Sequence, residues 1–186
     1  MQPCAYDFLM KRPPESIDGK RVRLRRATVD DAPALFLAAA DPEVMHYMTW
    51  AAQSSDDETR AHLEAAMRRW DEGSEYQWII EERASSLLAG TVSCRIQDDA
   101  ADIGYFLARA HWGKGLAREA ACLVVHFLKA QTDIVRIWAT VDAENLRSQQ
   151  VLEHIGLHYE TTLFKATQRP NIGPAPRDTV VYAWCR

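Results

Sequence analysis

Two groups of residues have types and spacing suited to chemistry. Gly113, Lys114 and Gly115 stand between a strand-like run over 102–108 and a segment where Ala117, Ala120, Ala121, Val124, Phe127 and Leu128 recur at helical steps. A glycine-rich turn ahead of a helix points unpaired backbone N–H groups at one spot, and the helix dipole favours an anion there, most often a phosphate. Asn145 and Ser148, three residues apart at the start of another helical run, share one face of it. Read alone, Asn145 is an N-cap and Ser148 a first-turn residue.

The phosphate ligand can be narrowed by elimination. A P-loop needs Ser or Thr after its Lys, and Lys114 is followed by Gly115. A dinucleotide fingerprint needs a third glycine where this chain has Arg118. What remains, Trp112-Gly113-Lys114-Gly115-Leu116-Ala117, resembles the acyl-CoA pyrophosphate loop of the GNAT acetyltransferase superfamily, Gln/Arg-x-x-Gly-x-Gly/Ala. Trp replaces the usual first residue, as in the branch that acts on ribosomal-protein N-termini. Asn145 to Leu157 resembles the family's helix pattern Asn-x-x-Ser/Ala-x-x-x-Tyr/Leu-x-x-x-Gly-Phe, and it follows the glycine loop at the family's distance. Asp41-Pro42-Glu43-Val44 leading to Tyr47 and Trp50 is similar to a run of the ribosomal-protein branch.

The resemblance implies an acetyl-CoA-dependent N-acetyltransferase working by direct attack of an amine on the thioester. Backbone N–H groups of Trp112, Gly113, Lys114, Gly115, Leu116 and Ala117 would hold the CoA pyrophosphate. Main-chain groups of Phe106, Leu107 and Ala108 would meet the pantetheine arm and acetyl carbonyl, where in this family two strands splay apart. Asn145 would hydrogen-bond the pantetheine or the surroundings of the acceptor. A protonated amine needs a base, and Asp102 stands where relatives carry Glu or Asp; Glu81, Glu82, His46 and His111 are weaker candidates. The leaving thiolate needs a proton. Many relatives supply it from a Tyr where this chain has Leu152, so the role passes to Ser148, one turn earlier. Tyr47 and Trp50, with the loop over 170–176, would wall the acceptor pocket. The acceptor would be a protein N-terminal α-amine, ribosomal or other, or a small-molecule amine. Loss of the Tyr also motivates a rival reading, a non-catalytic acyl-CoA sensor on the same fold. A different phosphate-ligand domain is the third.

Composition is ordinary for a soluble globular protein. The 186 residues suit one domain with a sizeable core, 47% hydrophobic and 26% charged. A net charge of −4 gives no footprint for nucleic acid. No apolar run spans a membrane, and no secretory leader is expected. Cys4, Cys94, Cys122 and Cys185 form no CxxC pair, so neither a metal site nor a disulfide framework is expected and a reducing cytoplasm is the default. A Cys nucleophile is not expected, since Cys94 falls in a strand and Cys122 in the helix stripe region.

The positioning elements follow from periodicity. Residues 1–18, with Pro3, Pro13 and Pro14, read as an arm, and residues 19–186 as the single domain. Alternation over 21–26 predicts a strand; Thr28 and Asp31 cap a helix ending at Asp41-Pro42. Ser54 or Ser55 opens a helix over 56–72 that Gly73 stops. Strands follow over 76–81 and 87–95, with Gly90 marking a bulge or close approach, then a turn over 97–101 into the strand at Asp102. After the helix from Leu116, a strand over 134–141 completes a parallel crossover. A helix from Leu146 to Gly156 and two strands, 159–166 and 179–184, joined by a proline-stiffened loop, complete the chain. The fold class is a mixed α/β sheet in the order β-α-α-βββ-α-β-α-ββ, matching the GNAT order, with exposed C-terminal edge strands suited to a homodimer.

Overall fold

The computed structural model describes residues 12–186; Pro3, Cys4 and the rest of the arm before Arg12 lie outside the described residues. The elements run β1 (Ser16–Asp18), β2 (Val22–Arg26), α1 (Ala32–Ala39), α2 (Pro42–Met45), α3 (Asp56–Glu72), β3 (Glu75–Glu82), β4 (Leu87–Gln97), β5 (Ala100–Leu107), α4 (Leu116–Lys129), β6 (Arg136–Asp142), α5 (Leu146–His154), β7 (His158–Arg169) and β8 (Gly173–Cys185). One mixed sheet holds all eight strands in the order β1-β2-β3-β4-β5-β6-β8-β7. Only β5 and β6 are parallel neighbours, as the α4 crossover requires.

Period-two alternation divides the sheet into two faces. Trp78 and Ile80 of β3 face α4, which buries Leu116, Ala120, Ala121, Val124 and Leu128 against Val22, Leu24, Val92, Ile103 and Ile137. Ile79, between them, faces the other way and packs with Ala27, Ala32, Leu35 and Leu63 under α1 and α3. Asp31 closes a capping box as the sequence predicts, accepting from the Thr28 N–H at 2.9 Å. Gly73, left-handed at φ 79°, stops α3. No helix among the described residues is long and apolar enough to cross a membrane.

Several boundaries differ from expectation. Ser16–Asp18 pairs with Arg25, Leu24 and Arg23, so the sheet begins inside the segment read as an arm. The turn before β5 is only Asp98-Asp99, Asp98 taking φ 53°, and the strand starts at Ala100 rather than Asp102. The last hairpin is longer at its tip: β7 runs to Arg169 and β8 starts at Gly173, so Pro174 and Pro176 belong to a strand, not a loop. They are tolerated because β6 pairs with β8 only from Thr179 onward, leaving the proline stretch paired on one side alone. Strand β7 is one edge of the sheet, as β1 is the other, and exposes Tyr159, Leu163 and Phe164.

Two features open the sheet at its centre. Pairing of β5 with β6 covers only Ala100, Ala101 and Asp102 against Arg136, Ile137 and Trp138; beyond these pairs the strands have no common register. On the other side of β5, Gly90 sits at a register shift, and a Cβ built there would lie 2.1 Å from the Phe106 carbonyl oxygen. That contact lets β4 hold the far end of β5 as it leaves β6. Gly90→Ala should therefore cost about 1–3 kcal/mol of stability by overpacking, read as a lowered denaturant midpoint. An unchanged midpoint would show that β4 can yield without penalty.

Candidate active site

The glycine loop is braced from three sides. After β5 a short 3-10 turn, Arg109–His111, leads to Trp112, whose indole N–H donates to the Leu107 carbonyl at 2.8 Å. Gly113 and Gly115 take φ 75° and 72°, a conformation glycine adopts without strain. Arg21 donates from Nη1 to the Lys114 carbonyl (3.0 Å) and from Nε to Glu119 (2.9 Å), tying the loop to the first turn of α4. Lys114 Nζ turns away to Glu82 at 3.1 Å. The first bond of α4 runs from the Glu119 N–H to the Gly115 carbonyl at 3.1 Å. Among the described residues, none of the backbone N–H groups over 113–118 has a backbone partner. Six donors at the positive end of a fourteen-residue helix form an anion cradle.

Helix α5 lies at the fork between β5 and β6. Asn145 caps it, its Oδ1 accepting from the Ser148 N–H at 3.2 Å, so the amide nitrogen is left to donate elsewhere. Ser148 is half-buried and Leu152 is buried one turn on. The Tyr105 hydroxyl donates to the Ser148 carbonyl at 3.4 Å, and burial pushes its pKa up to about 12. The Arg147 guanidinium lies 5.5 Å from the centre of the Trp112 ring, linking this helix to the glycine loop.

On the α1/α3 side of the sheet the fork opens into a cavity of about 800 Å³. Asp102, Tyr105, Phe106, Asn145, Ser148, Tyr47 and Trp50 all line it. Residues 43 positions apart in sequence (102 and 145, with 47 and 50 further off) thus meet in one place. Its floor carries a cross-strand row of Glu75, Arg95 and Asp102. Burial pushes the Asp102 carboxyl above the usual carboxylate range; Arg95 partly offsets this and Glu75 adds to it. His62 borders the cavity as well, with Nε2 3.1 Å from Gln77 Oε1, and burial lowers its pKa.

Other expected residues stand elsewhere. Glu81 pairs with Arg25 at 2.5 Å and Glu82 with Lys114; His111 is buried 3.4 Å from Glu82, and His46 is exposed, edge-on to Tyr47. None of the four lines the cavity. The main-chain groups expected to meet the pantetheine are partly engaged: the Ala108 N–H donates to the Ala89 carbonyl, and the Leu107 carbonyl holds Trp112. The chain over 170–176 does not wall the cavity either. Its contribution is Asn171, which the sequence does not single out. Asn171 donates to the Met45 and Trp50 carbonyls at 2.7 and 2.8 Å and accepts from the Ala52 N–H at 2.8 Å, pinning the segment that carries Tyr47 and Trp50.

Comparison with known proteins agrees with this geometry. The family model for the acetyltransferase (GNAT) domain matches residues 21–158. An uncharacterized N-acetyltransferase, p20, of Bacillus licheniformis is 29% identical over 152 residues, covering 80% of this chain and 85% of its own. RimL, a ribosomal L7/L12 alpha-N-protein acetyltransferase solved in complex with coenzyme A, superimposes with a TM-score of 0.82 at 22% identity, covering 92% of this chain and 98% of its own. The microcin C7 self-immunity acetyltransferase MccE, in complex with acetyl-CoA and AMP, gives 0.83 at 21% identity, over 94% and 98% of the two chains.

The Asn171 clip makes a direct prediction. Each of its three bonds contributes about 1 kcal/mol. Asn171→Ala should therefore speed amide hydrogen exchange over 45–52 by roughly 100-fold, while the amides of β4 and β5 stay protected. Unchanged exchange there would mean that the segment is held by its packing alone.

Proposed function

Since the chain belongs to the GNAT acetyltransferase family and is an acetyl-CoA-dependent acetyltransferase, we propose that its acceptor is a primary amine, attacking the thioester directly within the cavity at the β5–β6 fork. The observation that carries this reading is an unpaired amide cradle reached directly from β5, the strand whose fork opens on a cavity lined by the burial-perturbed Asp102 carboxylate. A protein N-terminal α-amine, the acceptor kind named for RimL, and a small-molecule amine both suit a cavity of this size.

Bound acetyl-CoA supplies an activated thioester carbonyl. The N–H groups over 113–118 hold the pyrophosphate, with Trp112 and Arg21 keeping the loop in shape. Main-chain groups of β5 facing the fork, with Phe106 bordering it, align the pantetheine arm and donate to the developing oxyanion. Asn145 adds its amide nitrogen there. Asp102 takes the proton from the incoming ammonium, directly or through a water, and its raised pKa suits a base working nearer neutrality. The amine nitrogen bonds to the carbonyl carbon, the carbon–sulfur bond breaks, and the Ser148 hydroxyl passes its proton to the departing thiolate while taking up the one that the nitrogen sheds on becoming an amide, so that the serine ends neutral. Tyr105, held protonated at the same helix turn, keeps the Ser148 backbone in place.

Calorimetric titration with acetyl-CoA tests the donor half. One-to-one micromolar binding is expected. Gly113→Asp should abolish it by charge repulsion, and Gly113→Asn, which meets the same φ of 75° and the same open space without the charge, should retain more of it. No binding by the unaltered protein would sink the cradle. The catalytic half is read from the pH dependence of kcat/KM with the best amine of a panel. Asp102 must be ionised to accept a proton, so activity should rise with pH through a limb lying above the ordinary carboxylate range. Asp102→Asn should remove that limb, whereas Ser148→Ala should keep it and lower kcat by about 100-fold. A limb that survives Asp102→Asn assigns the base elsewhere.

A further inference from the structure

One charged side chain bordering the cavity has no part in the chemistry above. Arg169, the last residue of β7, is only 4% exposed. Its one charged contact is with Asp142, Nε to Oδ2 at 3.6 Å, too long for a hydrogen bond. Asp142 is already served: Arg177 donates to it from Nε at 2.7 Å and from Nη2 at 3.1 Å, and the Glu144 N–H donates at 3.0 Å. The Asp142 carboxyl is buried, which opposes ionisation, yet these bonds outweigh burial and hold its pKa below the usual range. Among the described residues, Arg169 Nε and Nη2 have no hydrogen-bond partner.

A guanidinium buried with unspent donors costs stability unless something supplies the acceptors. Nε and Nη2 are closed off from water, Nε on the side of Asp142, so what the guanidinium brings to the cavity it borders is its charge and its remaining nitrogen, Nη1, and a carboxylate suits both. We propose that Arg169 is a specificity residue that binds a carboxylate on the acceptor, so that the acceptor class is an amine bearing an acidic group. This inference rests on the cavity being the acceptor site. Asp142 lies four residues along β6 from Trp138, the neighbour of Asp102. That spacing is about 13 Å at strand rise, so the carboxylate and the reacting amine are set apart by several bonds, as in an acidic peptide N-terminus.

Three matched pairs of peptide amides test the spacing: Asp-Ala-Ala against Asn-Ala-Ala, Ala-Asp-Ala against Ala-Asn-Ala, and Ala-Ala-Asp against Ala-Ala-Asn. Each is titrated calorimetrically into the CoA-saturated protein and, separately, assayed for CoA release with acetyl-CoA. At least one acidic member should bind tenfold or more tightly than its neutral partner, and R169Q should erase the difference. Arg177 still holds Asp142 in that variant, and a melting temperature close to the parent's confirms that it is folded. The CoA affinity should not change. Preferential binding through Arg169 without acetylation would leave the subsite standing and overturn the transfer reading. Equal binding within all three pairs, no binding of any acidic member, or a preference that survives R169Q would overturn the subsite.

Discussion

The site depends on two parallel strands that are hydrogen-bonded neighbours for three residues and then part. A sheet interior normally leaves no backbone group without a partner, so a fork in its centre is stable only if its edges are held from outside and its free groups are left for a ligand. Strand β4 holds one edge through its full-length pairing with β5 and the close approach at Gly90. Strand β8 holds the other by pairing with β6 along its whole length. Helix α5 then closes the gap from the end, capped by Asn145 and tied back by Tyr105.

Under the proposed function, donor and acceptor roles divide at the fork. The donor half is built from neighbouring stretches of β5, the glycine loop and α4, clamped by Arg21 and Glu119. The acceptor half is assembled from remote pieces: the floor of β3, β4 and β5, the wall of α3, the segment carrying Tyr47 and Trp50, and Arg169 from the far hairpin. The polar floor explains why the sheet is apolar toward α4 but not beneath the cavity. Glu75, Arg95 and Asp102 stand side by side where core packing would otherwise call for aliphatic residues.

What could be read in advance was local or repetitive. The glycine loop, the Asn145 cap, the capping box at Thr28 and Asp31, and the amphipathic stripe of α4 are each encoded within a few residues. The strand nature of the proline-rich stretch was not legible, because it depends on which neighbour a strand lacks. Asn171 and Arg169 carried no local signal: their partners lie more than 100 and nearly 30 residues away, respectively. Glu81, Glu82, His46 and His111 are the complementary case. Their chemistry fits a base, but their positions outside the cavity follow only from the fold.

The tip of the β7–β8 hairpin has a wider consequence. It reaches across the molecule to hold the segment carrying Tyr47 and Trp50 through Asn171 while Arg169 borders the same cavity, and among the described residues no hydrogen bond or ion pair of either goes to the glycine loop. If the cavity takes the acceptor as proposed, a lengthened or re-sequenced tip would reset which acceptors are admitted and leave the glycine loop as it is. On that reading, substrate range could diversify through one hairpin turn, independently of the loop that holds the donor.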